Sequence, residues 1–469
     1  MQQMPWVGFS INRSSKTPVF EQICEAIRTR AISNDLTEGT TLPPTRVFAT
    51  ELGVSRSTIV TAYEQLVAEG YLQGLRGSGY TVCAIGEVEL AGKTNRDLNK
   101  LNNESVKPPI PFEASLPDMR LFPHRQWAKA VARICRTKPQ TMLVGGSSFG
   151  NYDLRKAIAA HVSEWRGIET PPSQIIVTAG SIDALEICIR ALTKKGDIVG
   201  LENPGYIPIR NFAKAYGLLP SFLDIDDEGA KLPVNRATPR FVILTPSHQF
   251  PLGGAMSPNR RLDFIRWAEA ENLWIIEDDY DSEYRYAGRP IPAMAGFDRM
   301  NRTIYAGSFS KIFSNSLRLG YIIVPEVLLP RFCATMNRTP SKASYMPQQA
   351  LAEFMETGEF YRHLRRMRRI YGERRKFLLN RLISDFAEFG FVYDHQAGMQ
   401  IVLHLNDEFD DMIISRRALK KGISVRPLSD FSINKPEYNG LILGFCAQSE
   451  AEMELALKLL KKCFLESSS

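Results

Sequence analysis

Apolar side chains recur at helical spacing from Val19-Phe20 through Ile23, Ala26-Ile27 and Ala31-Ile32, which predicts an amphipathic helix. Gly39 and the Pro43-Pro44 pair break the chain before a second helix over Thr45–Leu52, with Thr45 as its expected cap. Gly53 stands where a helix end favours a left-handed residue. Ser55 then opens a third helix, Arg56–Glu69, with Ile59, Tyr63 and Leu66-Val67 inward and Gly70 as its stop. Helix, glycine turn and helix form the helix-turn-helix arrangement that reads DNA. Tyr71-Leu72 and Tyr80-Thr81-Val82, set among Gly74, Gly77 and Gly79, predict a two-stranded ribbon with Arg76 at its tip.

The pattern changes after residue 85. Residues 86–112 are polar and strand-poor, ending in Lys107-Pro108-Pro109, and are expected to form a flexible linker. From 113 to 469, short apolar runs alternate with helical patterns. Ile175–Val177, Ile198–Leu201, Phe241–Leu244, Leu273–Ile276, Thr303–Tyr305 and Tyr321–Val324 predict buried strands of a mostly parallel sheet in an α/β domain. Ligands of such sheets lie at the carboxyl ends of strands, and the unusual polar residues follow the strands there.

Composition narrows the class. The 469 residues suffice for two or three domains, and 44% hydrophobic with 23% charged residues suits a globular protein. No apolar run approaches the roughly 20 residues that span a bilayer, and Met1–Ser10 has no signal-peptide pattern, so a cytoplasmic protein without a membrane partner is expected. Seven scattered cysteines in no metal spacing fit reduced thiols, with no metal site. The net charge of +7 permits nucleic-acid binding. Within residues 1–85, however, seven bases are balanced by seven acids, so DNA binding there must depend on where the arginines sit.

The strand ends carry the candidate chemistry. Thr178-Ala179-Gly180-Ser181 leads into a helix whose free N–H groups would suit a phosphate, although plain helix capping explains the same residues. Glu202-Asn203-Pro204-Gly205-Tyr206 is a turn that delivers an aromatic ring, and Thr245-Pro246-Ser247-His248-Gln249-Phe250-Pro251 places a histidine suited to hydrogen bonding. Glu277-Asp278-Asp279-Tyr280-Asp281 puts four acids beside a very apolar strand. A carboxylate in such a dry place could keep a pyridine nitrogen protonated. Last, Ser308-Phe309-Ser310-Lys311 precedes Arg318: a lysine able to form a Schiff base, with hydroxyls and an arginine able to hold a phosphate.

These strings carry two resemblances. Gly39, Leu42-Pro43, Arg46, Leu52-Gly53-Val54-Ser55-Arg56, Thr58, Tyr63, Leu66, Glu69-Gly70 and Gly77-Ser78-Gly79 resemble the winged helix of the GntR regulators. That likeness implies operator DNA as partner, with Ser55, Arg56, Ser57 and Thr58 in the major groove, helped by Arg46. It also implies that Arg76 and Gly77 set the wing on the backbone or minor groove. Residues 113–469 resemble the fold-type I aminotransferases, and the Thr245–Pro251 and Glu277–Glu283 strings narrow the chain to the MocR (GabR-like) branch of the GntR regulators. This second likeness implies pyridoxal 5'-phosphate (PLP) as cofactor, with Lys311 as its Schiff-base partner. It places Asp278 at the pyridine nitrogen (Asp279 being the competing choice), Tyr280 at the ring hydroxyl and Tyr206 stacked on the ring. It puts Gly180, Ser181, Ser308, Ser310 and Arg318 around the phosphate, His248 among the cofactor-binding residues, and implies a homodimer.

The chain departs from the aminotransferase pattern at Leu441-Ile442-Leu443-Gly444-Phe445, where ordinary members carry an arginine for the substrate carboxylate. Pro208 and Asp430 stand where GABA-responsive relatives carry basic residues. The expectation is a regulator that senses a small amine or amino-acid-like effector by aldimine exchange at Lys311, the effector held partly by Arg426 or Asp430. A catalytically active aminotransferase with a regulatory DNA-binding domain is the alternative.

Overall fold

The computed structural model describes residues 11–15, 17–75, 79–84, 109–142, 146–234, 237–288, 291–299, 301–340, 342–433 and 438–466, and it divides into two compact units, 1–107 and 108–469. Most of the expected linker, and Arg76 and Gly77 at the expected wing tip, lie outside the described residues.

In the first unit, α1 (Val19–Ile32), α2 (Thr45–Leu52) and α3 (Arg56–Ala68) pack around Ile23, Ile27, Phe48, Ile59, Tyr63 and Leu66. Two strands, β1 (Leu72–Leu75) and β2 (Gly79–Val82), pair antiparallel. Gly53 has the left-handed conformation at φ 61°, which turns α2 into α3. Ser55 caps α3, its Oγ accepting from the Thr58 N–H at 3.1 Å. Thr45 does not cap α2. Pro44 occupies the cap position with φ −55°, and Thr45 lies inside the first turn, its hydroxyl accepting from Arg56 Nε at 3.4 Å.

The second unit is built on a sheet of eight strands: β3 (Ile175–Thr178), β4 (Ile198–Asn203), β5 (Leu219–Asp226), β6 (Gly229–Ala230), β7 (Phe241–Leu244), β8 (Trp274–Asp279), β9 (Thr303–Ser308) and β10 (Gly320–Ile323). Their order is β3-β10-β9-β8-β7-β4-β5-β6. The pairings from β9 across to β5 are parallel, while β10 runs antiparallel between β3 and β9. The apolar runs that predicted strands are buried on both faces, as helices on each side require. Those helices include α4 (His124–Thr137), α5 (Tyr152–Arg166), α6 (Ser181–Leu192), α7 (Ile207–Ala215), α8 (Pro258–Ala270), α9 (Met294–Phe297), α10 (Phe309–Ile312), α11 (Leu329–Arg338) and α12 (Met346–Glu356). A 27-residue helix, α13 (Glu359–Asp385), leads to a second, antiparallel sheet. That sheet comprises β11 (Gly390–Val392), β12 (Gln400–Leu405), β13 (Arg426–Pro427) and β14 (Gly440–Gly444), with α14 (Asp411–Lys420) and α15 (Glu450–Leu465) packed beside it. No helix among the described residues is long and apolar enough to cross a membrane.

The two units have separate hydrophobic clusters. Leu66→Ala, which empties a fully buried position in α3, should cost about 2–5 kcal/mol in the first unit. Hydrogen exchange should then speed up in α1–α3 and stay unchanged in β7–β9.

Candidate functional site

Four parallel strands of the large sheet deliver polar residues to one end. β8 finishes on Glu277-Asp278-Asp279, β9 runs into Ser308 and Lys311, β7 runs into Thr245, and β4 ends ahead of Tyr206. Between them lies a cavity of about 300 Å³ whose lining includes Ser181, Tyr206, Asp278, Tyr280, Lys311 and Arg426.

Lys311 enters from α10. Its Nζ donates to the Ser115 carbonyl at 3.0 Å, and burial draws its pKa below the ordinary lysine value. Ser115 itself is held at φ 58° and carried no signal in the sequence.

Asp278 and Asp279 are neighbours on a strand, so they leave it on opposite faces. Asp279 is held by three partners on its Oδ2, Arg166 Nη2 at 2.7 Å, Tyr305 Oη at 2.7 Å and Ser282 Oγ at 2.8 Å. Asp278 is buried against the cavity, and its Oδ1 has no hydrogen-bond partner among the described residues. Burial, reinforced by the charges of Asp279, Glu202 and Asp281, pushes its carboxyl up to about 7. Glu202, at the end of β4, is likewise pushed up to about 7 by burial, against the N–H (3.0 Å) and hydroxyl (2.5 Å) of Thr245.

An unpaired buried carboxylate oxygen is costly unless a donor completes it. A protonated ring nitrogen is such a donor, so the residues present fit PLP at this point.

Tyr280 donates its hydroxyl to the His248 carbonyl at 2.9 Å and stands 3.0 Å from His248 Nδ1. His248 is buried, lies 3.0 Å from Asp281 Oδ1, and does not line the cavity; it orients Tyr280 from behind. Gly398 makes room for that ring, since a Cβ there would overlap it. The Tyr206 ring meets Phe250 edge-on at 5.7 Å, and Phe250 in turn meets Tyr280 and Phe431, so one wall of the cavity is aromatic.

The candidate phosphate segments meet through strand register. Gly320 of β10 pairs with Thr178 on one side and Ser308 on the other. That pairing gathers Gly180-Ser181, Ser308-Phe309-Ser310 and Arg318 at one sheet end. Gly180, at φ 90°, caps α6 and faces Ser310 Oγ. Arg318 is exposed, strained at φ 47°, and its guanidinium has no ion-pair partner among the described residues.

The effector candidates separate. Arg426 lies opposite Ile442 in the β13–β14 register, and both line the cavity. Its guanidinium stands 4.6 Å over the Phe431 ring. Asp430 does not line the cavity, whereas Phe431 does. The two are consecutive in the short 3₁₀ turn Leu428–Phe431, where neighbouring side chains point in different directions. Thr245, Phe250 and Ile442 also line the cavity and had no role assigned from sequence.

In the first unit, Arg46, Ser55, Arg56 and Ser57 are exposed at the starts of α2 and α3, with Thr58 half-buried behind them. Ser55 Oγ lies 2.7 Å from both the Ser57 and Thr58 hydroxyls. Arg13, not singled out in the sequence, joins this end by donating to the Gly53 carbonyl at 2.9 Å.

Comparison with known proteins gives the class. The family model for bacterial regulatory proteins of the gntR family matches residues 20–82, and that for aminotransferase class I and II matches 115–460. A helix-turn-helix regulator joined to an aminotransferase-class domain is therefore on one chain. The protein belongs to the MocR (GabR-like) branch of the GntR transcriptional regulators. It is 35% identical to the probable rhizopine catabolism regulatory protein MocR of Rhizobium meliloti, over 98% of this chain and 96% of that one. It is 32% identical to the pyridoxine biosynthesis regulator PdxR of Corynebacterium glutamicum, over 96% of each. Among solved structures it resembles the Thermus thermophilus α-aminoadipate aminotransferase, complexed with N-(5'-phosphopyridoxyl)-L-leucine, at TM-score 0.69 and 26% identity; the match covers 76% of this chain and 92% of that one.

The buried charges make the site testable without its cofactor. Arg166→Met removes the cation paired directly with buried Asp279 and nearest to Glu277, leaving only the more distant Arg261, and should cost about 3–5 kcal/mol. Adding Asp279→Asn should restore part of that, as read by urea titration; an unchanged midpoint in the single variant would refute the role of the pair. The native site also holds the protons of Asp278 and Glu202 more tightly than the unfolded chain does. Without cofactor, stability contributed by these groups is therefore fully present below the ordinary carboxylate pKa and is lost as pH rises through about 7. Asp278→Asn or Glu202→Gln should each flatten the fall in melting temperature between pH 5 and 8.

Proposed function

We propose that this chain is a PLP-dependent transcription regulator whose aminotransferase-class unit senses a primary amine and whose winged helix binds operator DNA. The observation that carries the reading is the buried Oδ1 of Asp278, without a hydrogen-bond partner among the described residues, beside the cavity that Lys311 enters. In this reading Asp278 holds the cofactor's ring nitrogen, Tyr280 its ring hydroxyl, and Tyr206 lies along the ring. Gly180, Ser181, Ser308, Ser310 and Arg318 take the phosphate, and His248 acts through Tyr280. When bound, PLP supplies an aldehyde that bonds reversibly to a primary amine, that of Lys311 or of an effector. Arg46, Ser55, Arg56, Ser57 and Thr58 meet the DNA, with Arg76 and Gly77 as the wing contact. A homodimer would present two such modules to two half-sites. Seven free cysteines favour a cytoplasmic setting.

Arg426 gives the effector a second handle. It supports an amine that also bears an anionic group, reached from β13 and not from the strand position that ordinary aminotransferases use. The relatives are named for rhizopine catabolism and pyridoxine biosynthesis, so the effector must be read from this cavity and not from a relative. Displacing Lys311 changes the contacts of the cavity, and that difference can shift operator affinity. The same Arg426 favours a second reading, a working aminotransferase, which steady keto-acid production from an amino donor would establish.

The test is spectroscopic. PLP added to the purified protein should give a visible absorbance band that Lys311→Ala loses. Effector amines should shift both that band and operator binding in the wild type, and neither in Lys311→Ala. Arg426→Ala should keep the band yet raise the effector concentration for half-response roughly ten- to hundredfold, the worth of a missing charge-assisted hydrogen bond. No band even with excess PLP would overturn the reading.

A further inference from the structure

The largest excess of positive charge on any helix of this chain sits on α13. α13 carries nine Lys and Arg residues against three Asp and Glu, an excess of six in a chain whose formal net charge is +7. Residues 1–85, which include the winged helix, are neutral. Several of these cations serve the fold. Arg374 binds Asp118 at 3.0 Å, Arg381 binds Glu454 at 2.7 Å, and Arg375 pairs with Asp394. Arg365 and Lys376 are exposed and have no ion pair or hydrogen bond among the described residues. Beside them an open groove of about 660 Å³ is lined by Arg285, Arg368, Arg369, Arg375 and Lys376. Its two acids, Glu373 and Asp394, are already paired with Arg369 and Arg375. The Nε of Arg285 is buried with no acceptor among the described residues.

A solvated face would scatter such charges and intersperse acids. Three kinds of anionic partner suit a cationic one. An anionic membrane would need an apolar face to insert, but Leu364, Met367, Tyr371, Leu378 and Leu382 of α13 are all buried in the core. A single small anion would need its donors gathered at one point. From Arg365 to Lys376 the cations instead extend along roughly 16 Å of helix, from the rise per residue. That is about the length of five base pairs of duplex.

We propose that this face of α13, with the groove beside it, is a sequence-independent contact for the DNA phosphate backbone, additional to the winged helix. It would add to the salt-dependent share of affinity, which the winged helix supplies only through its few arginines, while the winged helix supplies base readout. The proposal rests on operator binding by the whole regulator.

The experiment uses the full-length protein and a duplex of about 60 base pairs carrying its operator, with binding followed by fluorescence anisotropy across a salt series. Arg365→Gln/Arg369→Gln/Lys376→Gln should lower the magnitude of the slope of log affinity against log salt by about 2–3, at roughly 0.9 for each phosphate no longer neutralised. Affinity at low salt should fall more than tenfold, with the PLP absorbance band unchanged as the check on folding. The single variant Lys376→Gln should lower the slope by about 0.9 and keeps the test alive should the triple variant misfold. A slope unchanged in a folded variant overturns the proposal, as does a variant that loses binding to anionic phosphatidylserine vesicles but not to DNA. A wild type that binds no operator would instead strike at the DNA-binding reading itself.

Discussion

Arg166 of α5 lies buried beneath the carboxyl end of β8 and takes Asp279 as its partner. The rest of the cavity depends on that pair. Strand alternation forces Asp278 and Asp279 to opposite faces, so neutralising one leaves the other to a different environment. Asp279, with Arg166, Tyr305 and Ser282 around it, is structural. Asp278 faces the charges of other acids, its Oδ1 has no partner among the described residues, and its carboxyl rises to about 7. A site of this kind is costly when empty and favourable once a cation arrives. Two adjacent aspartates thus come to differ through one arginine.

Neighbouring elements shape the remainder of the cavity in the same way. β10, inserted antiparallel between β3 and β9, brings three separated segments together at a single sheet end through the pairing of Gly320. His248 does not line the cavity but fixes Tyr280, which does. On the smaller sheet, β14 carries no arginine in its Leu441–Gly444 run, and the adjoining β13 offers Arg426 opposite Ile442. Charge absent from one strand is supplied by its neighbour.

Much of this was legible in the chain itself. The winged-helix frame depends on local signals: Gly53 at a left-handed turn, Ser55 at a helix start, and alternation around the ribbon. Apolar runs such as Phe241–Leu244 appear as buried strands because nothing but a two-sided core accommodates them. Local rules also misled. Thr45 has a capping side chain, yet Pro44 takes the cap, and Asp430 has the right chemistry but does not line the cavity. The second sheet, β11–β14, went unread: β11 and β13 span only three and two residues, and β12 and β14 become a sheet only through antiparallel pairing between segments far apart in the chain.

The sequence by itself therefore determined the winged-helix elements, the strands of the large sheet and the family, since these are written in local spacing that sterics and hydrogen bonding enforce. Tertiary structure alone decided which aspartate is left unpaired, which strand brings an arginine to the cavity, and where the cations of α13 stand relative to Arg285. Those outcomes depend on Arg166, β13 and Arg285 being carried to positions by packing between segments far apart in the chain. Charge and burial act through space, and no spacing along the chain encodes that distance.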